Sequence, residues 1–192
     1  MDPIVIGGES ISRTDIIRRR WLDNDFFGGV FSFNYVTDDD KWNVIFGGGA
    51  NRYDGDHFGE IIWMGTAGPT QIRDRYYDNT AVKDDVNLYA KATLEASKGL
   101  FLFTDMQFRG IDYSFVGVND DRRDIEGDYQ FRFFNPKLGL SYETGNGETW
   151  YASYAVANRE PVRNDFTDSQ VDRAPKPENL QNIEAGIRTQ KG

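Results

Sequence analysis

The sequence predicts an all-β fold, an antiparallel up-and-down sheet of about seven strands curved as part of a barrel wall. Three observations predict it. Apolar residues recur at every second position, as where Val86, Leu88, Ala90, Ala92, Leu94 and Ala96 alternate with Asn87, Tyr89, Lys91, Thr93 and Glu95; this is the period of a strand with one apolar and one polar face. Helical spacing is almost absent. Short turns alternate with long connections along the chain, which is the plan of a spanning barrel rather than of a sandwich.

Strands are expected at about 27–37, 41–53, 85–96, 100–115, 129–143, 149–159 and 181–190. Several exceed the length usual in globular sheets, and a tilted strand of about ten residues already crosses a bilayer. The short turns, Thr37-Asp-Asp-Asp, Ser97-Lys-Gly and Gly145-Asn-Gly, carry residues suited to tight hairpins. The long connections fall at about 54–83, 116–128 and 160–180.

The hairpins allow a register test. Setting Ala96 opposite Leu100 pairs Leu94 with Leu102, Ala90 with Met106 and Leu88 with Phe108 on one face, and Lys91 with Asp105, Tyr89 with Gln107 and Asn87 with Arg109 on the other. Setting Tyr142 opposite Trp150 puts Leu140 beside Ala152 and Leu138 beside Tyr154, and setting Tyr35 opposite Trp42 puts Phe33 beside Val44 and Phe31 beside Phe46. The faces stay segregated, which a slip of one residue would destroy. Aromatic pairs flank two of the turns, at the height of an interfacial girdle where a ring meets lipid on one side and headgroups on the other. The apolar face also holds Gly48, Ala50, Ala90, Ala92 and Ala152. Lipid fills in around such small residues, whereas a dry core would be left with voids.

Composition narrows the chemistry. The chain has 192 residues, no cysteine, a single histidine and a net charge of −9. Without Cys there is no disulfide framework or thiolate metal site, and His57 alone cannot build an imidazole cluster. The acidic balance argues against nucleic acid as a partner, and the run Arg18-Arg19-Arg20 is too short to reverse that. No apolar run approaches the 18 or so residues of a spanning helix, and the opening MDPIVIGGES lacks the pattern of a secretory signal.

Six blocks carry a resemblance. They are Arg19-Arg-Trp-Leu-Asp-Asn-Asp-Phe-Phe-Gly-Gly, Gly47-Gly-Gly-Ala-Asn-Arg-Tyr-Asp-Gly-Asp-His-Phe-Gly-Glu-Ile-Ile-Trp, Asp105-Met-Gln-Phe-Arg-Gly-Ile-Asp-Tyr, Phe134-Asn-Pro-Lys-Leu-Gly-Leu-Ser-Tyr, Asn158-Arg-Glu-Pro-Val-Arg-Asn-Asp and Lys176-Pro-Glu-Asn-Leu-Gln-Asn-Ile-Glu-Ala-Gly. In that order, over nearly the whole chain, the sequence resembles the barrel of TonB-dependent outer-membrane receptors. The resemblance implies a barrel of about 22 strands closed by an N-terminal plug. It makes residues 1–192 a partial barrel domain, without the plug and without the terminal aromatic of such barrels, since the sequence closes on Gln190-Lys-Gly. It further implies localisation in the cell outer membrane, with outer-membrane lipid, TonB (through the plug region) and a small-molecule or glycan substrate as partners.

Candidate site residues are few. Arg52, Tyr53, His57 and Trp63 lie in or beside the longest expected loop, at the end assigned to the exterior, where aromatic and cationic groups suit siderophores, cobalamin or glycans. Asp54-Gly-Asp-His-Phe-Gly begins like a calcium loop but has Phe58 and Gly65 where two ligands are required. Gly47-Gly-Gly lacks the Lys-Ser/Thr ending of a phosphate loop; the resemblance implies contact with the plug instead. Pro136, inside an otherwise regular strand, is expected to mark a bulge. Asp84-Asp85 and Asp120-Asp121 read as solvated charge rather than as facing catalytic carboxylates.

The expectation is therefore a transport receptor segment that is not an enzyme and uses no cofactor. It would take up a scarce nutrient through a TonB-gated barrel. Two rivals stand beside it: a soluble all-β carbohydrate-binding or adhesion module, in which Trp150, Tyr151 and Tyr154 would stack on sugars, and a passive porin-like channel.

Overall fold

Seven long strands form one antiparallel meander in the computed structural model, which describes residues 4–6, 9–11, 13–167 and 175–189. A small hairpin of β1 (Ile4–Ile6) and β2 (Glu9–Ile11) pairs by itself. The sheet consists of β3 (Ile16–Val36), β4 (Trp42–Met64), β5 (Arg75–Ser97), β6 (Leu100–Val118), β7 (Asp124–Glu143), β8 (Glu148–Arg159) and β9 (Glu178–Thr189), each hydrogen-bonded to its neighbours in sequence. A five-residue helix, α1 (Arg163–Thr167), lies between β8 and β9. The sheet does not close: β3 and β9 are its edges.

The alternation of faces holds, and among the described residues no second layer covers the apolar one. Leu88, Leu102 and Leu140 are exposed and Leu94 is half-buried. Across β7 and β8, Tyr142 pairs with Trp150, Leu140 with Ala152 and Leu138 with Tyr154, as the hairpin test requires. At the next hairpin, Lys91 meets Asp105 at 3.2 Å.

The first hairpin differs. The Thr37 amide donates to Trp42 O at 3.0 Å, so Thr37 rather than Tyr35 lies opposite Trp42. The cause is the turn. Asp39 accepts hydrogen bonds from the Thr37 hydroxyl (2.7 Å) and the Lys41 amide (3.2 Å), and Thr37 Oγ1 accepts from the Trp42 amide (3.1 Å), so the side chains close a wider loop. A slip of two residues leaves each side chain on its expected face. Phe31 and Phe46 still meet, with centroids 5.7 Å apart.

Strand ends also differ. β3 begins at 16 rather than 27, β4 runs to 64 rather than 53, and β5 begins at 75 rather than 85. The connection expected at 54–83 shrinks to 65–74, and that at 116–128 to 119–123. The run Asp54-Gly-Asp-His-Phe-Gly is thus strand. Its charges and glycines gave no alternation, yet its backbone groups are satisfied by the ladder on either side. Within the third long connection, 168–174 lie outside the described residues, as do Gln190, Lys191 and Gly192.

Pro136 does not make a simple bulge. The β7–β8 pairing ends beside it, at Lys137 and Ala155. Pro lacks the N–H that would continue the ladder, and beyond it a side chain takes over: Asn135 Oδ1 accepts the Asn158 amide at 2.9 Å.

The chain divides into two compact units. One comprises 1–26, 53–83 and 113–128; the other comprises 27–52, 84–112 and 129–192.

Candidate functional site

In the first unit the site rests on Tyr53. Its hydroxyl donates to Asn24 Oδ1 at 2.7 Å and lies 3.1 Å from His57 Nε2, so the imidazole serves as donor to it. Tyr53 and His57 are four residues apart on β4 and share a face, which brings them together as an extended strand must. Trp63 is also on β4, half exposed and several rungs further on. The expectation that His57 and Trp63 lie in a loop is overturned: they are strand residues, as Arg52 and Tyr53 were expected to be. Replacing Tyr53 by Phe removes both bonds, and the β3 and β4 amides around Asn24 and His57 should then lose about 1 kcal/mol of protection in hydrogen exchange.

The same unit carries a chain of stacked groups. The Arg75 guanidinium lies 3.8 Å from the Phe58 ring centre, Phe58 stacks on Trp21 at 6.4 Å, and Arg19 covers Trp21 at 4.6 Å. Glu60 Oε2 accepts from Arg19 Nη2 at 2.7 Å and from Trp21 Nε1 at 3.1 Å. The Arg19 hydrogen bond, and then that of Trp21, hold the Glu60 carboxyl below its ordinary value. A depressed carboxyl stabilises the fold above its unfolded pKa and loses that contribution as pH falls through the folded one. Acidification below the ordinary carboxylate range should therefore shift Trp21 fluorescence, and Glu60→Gln should abolish that step.

In the second unit Arg52 pairs with Asp84 at 3.3 Å, directly across β4 and β5. It is one residue from Tyr53, so the strand turns it to the apolar side. A like pair, Arg132 with Asp112 at 2.8 Å, links β7 and β6 on that side. These pairs end the apolar stretch. From Trp42 to Arg52 and from Tyr142 to Arg132 the distance is the same (52 − 42 = 142 − 132 = 10). Ten residues span roughly 33 Å of strand, or about 25 Å along the normal at the tilt of a barrel strand.

The polar side of this unit holds a cleft of about 510 Å³ lined by Tyr89, Lys91, Asp105, Gln107, Asn135 and Lys137, among others. Rings pack against glycines on this side: a Cβ on Gly47 would meet the Tyr89 ring, which lines the cleft, and one on Gly139 the Phe103 ring. Lys91 Nζ sits 5.4 Å from the Tyr89 ring centre and Lys137 Nζ 5.6 Å from that of Phe103. Further along β6, Arg109 binds Asp85 through Nη2 (2.6 Å) and Nε (3.0 Å), and Glu160 through Nη1 (3.0 Å) and Nη2 (3.1 Å). Sequence reasoning set Arg109 opposite Asn87 and missed this triad. The signal was present in part, since Asp85 is the diagonal neighbour within an arginine's reach. Glu160, just past the end of β8, gave none. Among the described residues no group of three or more His, Cys, Asp or Glu could hold a metal ion.

A sheet with one wet and one apolar face, bounded at one end by turn aromatics and at the other by ion pairs, is the form of a barrel wall. A family model described as "TonB dependent receptor-like, beta-barrel" matches residues 6–192. The chain belongs to this family. TonB-dependent receptors are transport receptors of the outer membrane, not enzymes. Three solved structures share the fold. OprC, described as a copper transporter, superposes with a TM-score of 0.72 at 14% identity over 91% of this chain and 29% of its own. The ferric yersiniabactin uptake receptor FyuA of Yersinia pestis gives 0.61 at 11% identity over 92% and 28%. The ferric-catecholate import receptor Fiu of E. coli K12 gives 0.60 at 14% over 88% and 29%. The chain spans less than a third of each of these structures. No curated protein matches it in sequence.

Proposed function

We propose that residues 1–192 form part of the wall of an outer-membrane receptor that takes up a scarce nutrient, a siderophore, cobalamin or a glycan, through a TonB-gated barrel. One observation carries the reading most: the apolar face runs for ten residues between turn aromatics and paired charges, a length that at a barrel's tilt would give the roughly 25 Å band such barrels present to lipid. Leu88, Leu102, Leu138 and Leu140 are left uncovered because acyl chains, not a second protein layer, are their surroundings. The opposite face, with Lys91, Asp105, Gln107 and Arg109, lines the aqueous interior. That the neighbours OprC, FyuA and Fiu are described as carrying copper or ferric siderophores supports import of a chelated nutrient. In the proposed assembly a plug domain fills the interior and couples to TonB, and Tyr53, His57 and Trp63 contribute to substrate contact, whereas Arg52, turned to the apolar side and paired with Asp84, does not.

Cell fractionation and growth test this together. The protein should sediment with the outer membrane, and growth on the limiting nutrient should require both the protein and TonB. Recovery as a soluble monomer that binds sugars would replace the proposal with a binding module. Uptake that persists without TonB would replace it with a passive channel.

A further inference from the structure

We propose that residues 160–167 form a latched strap, docked on the polar face of the sheet by an ionic clasp at one end and an aromatic socket at the other, and able to detach as a unit. The inference rests on the side-chain geometry below and not on the transport reading.

The clasp is Arg109. Its Nη1 and Nη2 donate to the two oxygens of Glu160 at 3.0 and 3.1 Å, the forked geometry of a strong guanidinium–carboxylate pair. Glu160 follows the last residue of β8, so this pair decides where the chain goes on leaving the strand. The socket is formed by β7. Phe166, buried, lies 4.4 Å from Tyr129 and 6.3 Å from Phe131, ring centre to ring centre, and Phe131 in turn stacks on Phe133 at 5.8 Å. Phe131 and Phe133 are buried although they share the face of Asn135 and Lys137. The polar side thus turns apolar where the strap lies.

Between its two ends Pro161 is buried as well, and the helix start is tied to itself. Asp165 accepts the Val162 amide at 2.8 Å and returns its own amide to Val162 O at 2.9 Å. A helix of five residues has no stability of its own, so α1 depends on clasp and socket together.

The clasp is asymmetric, which makes it a latch rather than a fixed strut. Arg109 is also held by Asp85, through Nε and Nη2, independently of the atoms of Glu160. Opening therefore sends Glu160 to water without stranding an unpaired buried arginine, which is the usual penalty for breaking such a pair. Two carboxylates share one cation while the strap is down, and only one remains when it lifts.

Hydrogen exchange on the full-length protein in lipid tests this. Glu160→Gln should speed exchange across 160–167 by at least tenfold while leaving β6 and β7 unchanged, because Arg109 and Asp85 stay paired. Phe166→Ala should release the same segment from its other end. Exchange in 160–167 unchanged by both substitutions would overturn the proposal. So would equal acceleration of β6 and β7, which would make these residues part of the wall rather than a strap upon it.

Discussion

Replacing Leu88 by lysine is expected to cost about 2–4 kcal/mol of folding free energy in lipid vesicles, the penalty for a cation at mid-depth on the lipid side of a barrel. Leu88 lies on the apolar face of β5 between Asp84, where the charge pair closes the band, and Leu94, near the turn that leads into β6. It is 42% exposed in this sheet, so a large part of its side chain meets the surroundings rather than other side chains. Asn87→Lys supplies the control. It is one residue away at the same depth but on the wet face, beside Tyr89 and Lys91 in the cleft, and should change stability by less than about 1 kcal/mol. Urea titration of both variants, refolded into vesicles, reads the difference. Equal effects would mean that the two faces of β5 meet the same surroundings.

The second large effect is expected at Gly117. Its φ of 133° is in the region that residues with a side chain avoid. A Cβ there would also come within 2.6 Å of Asn79 Cα, and backbone cannot swing aside as a side-chain tip can. Gly117→Ala therefore combines conformational strain with overpacking, together about 2–4 kcal/mol. The loss should appear in the β5–β6 ladder near Asn79, whose side-chain amide donates to Val118 O at 2.9 Å. Gly110→Ala, on the same strand, should be close to neutral, because the nearest atom to its Cβ would be Arg132 Cδ at 3.5 Å. Hydrogen exchange along β6 distinguishes the two.

These positions also show which parts of the molecule were legible in the sequence. Strands whose two faces meet different solvents announce themselves: along 86–96 the period of two is unbroken, and the Tyr142–Trp150 register follows from it. Past Arg52 and Asp84 that contrast ends. In Asp54-Gly-Asp-His-Phe-Gly-Glu no face demands apolar residues, and the alternation disappears although the ladder continues. Hence the strand ends were missed by about ten residues while the faces were placed correctly.

Turn geometry was legible only to the parity of the register. Asp39 and Thr37 widen the first hairpin through side-chain hydrogen bonds that no periodicity encodes. The candidate site was less legible still. Tyr53 and His57 do come together, but because the strand of Tyr53 continues through His57 rather than because a loop folds back on it. Arg109 and Glu160 are 51 residues apart, on β6 and just past β8, so no local pattern announces their 3.0 Å contact. Pro136 was legible as a break, but not that Asn135 would repair it.

The absence of cysteine from residues 1–192 makes one measurement unusually direct, because each introduced thiol is the sole labelling site within them. Spin labels placed singly at positions 84 to 96 of β5, in the protein reconstituted into lipid, would be read for collision with oxygen, which concentrates in acyl chains, and with a water-soluble nickel chelate. High oxygen accessibility at 86, 88, 90, 92 and 94, low oxygen accessibility at the odd positions between, and a switch to the chelate at 84 are the expected pattern. Even-numbered positions that are shielded from both reagents, or that favour the chelate throughout, would contradict a face solvated by lipid.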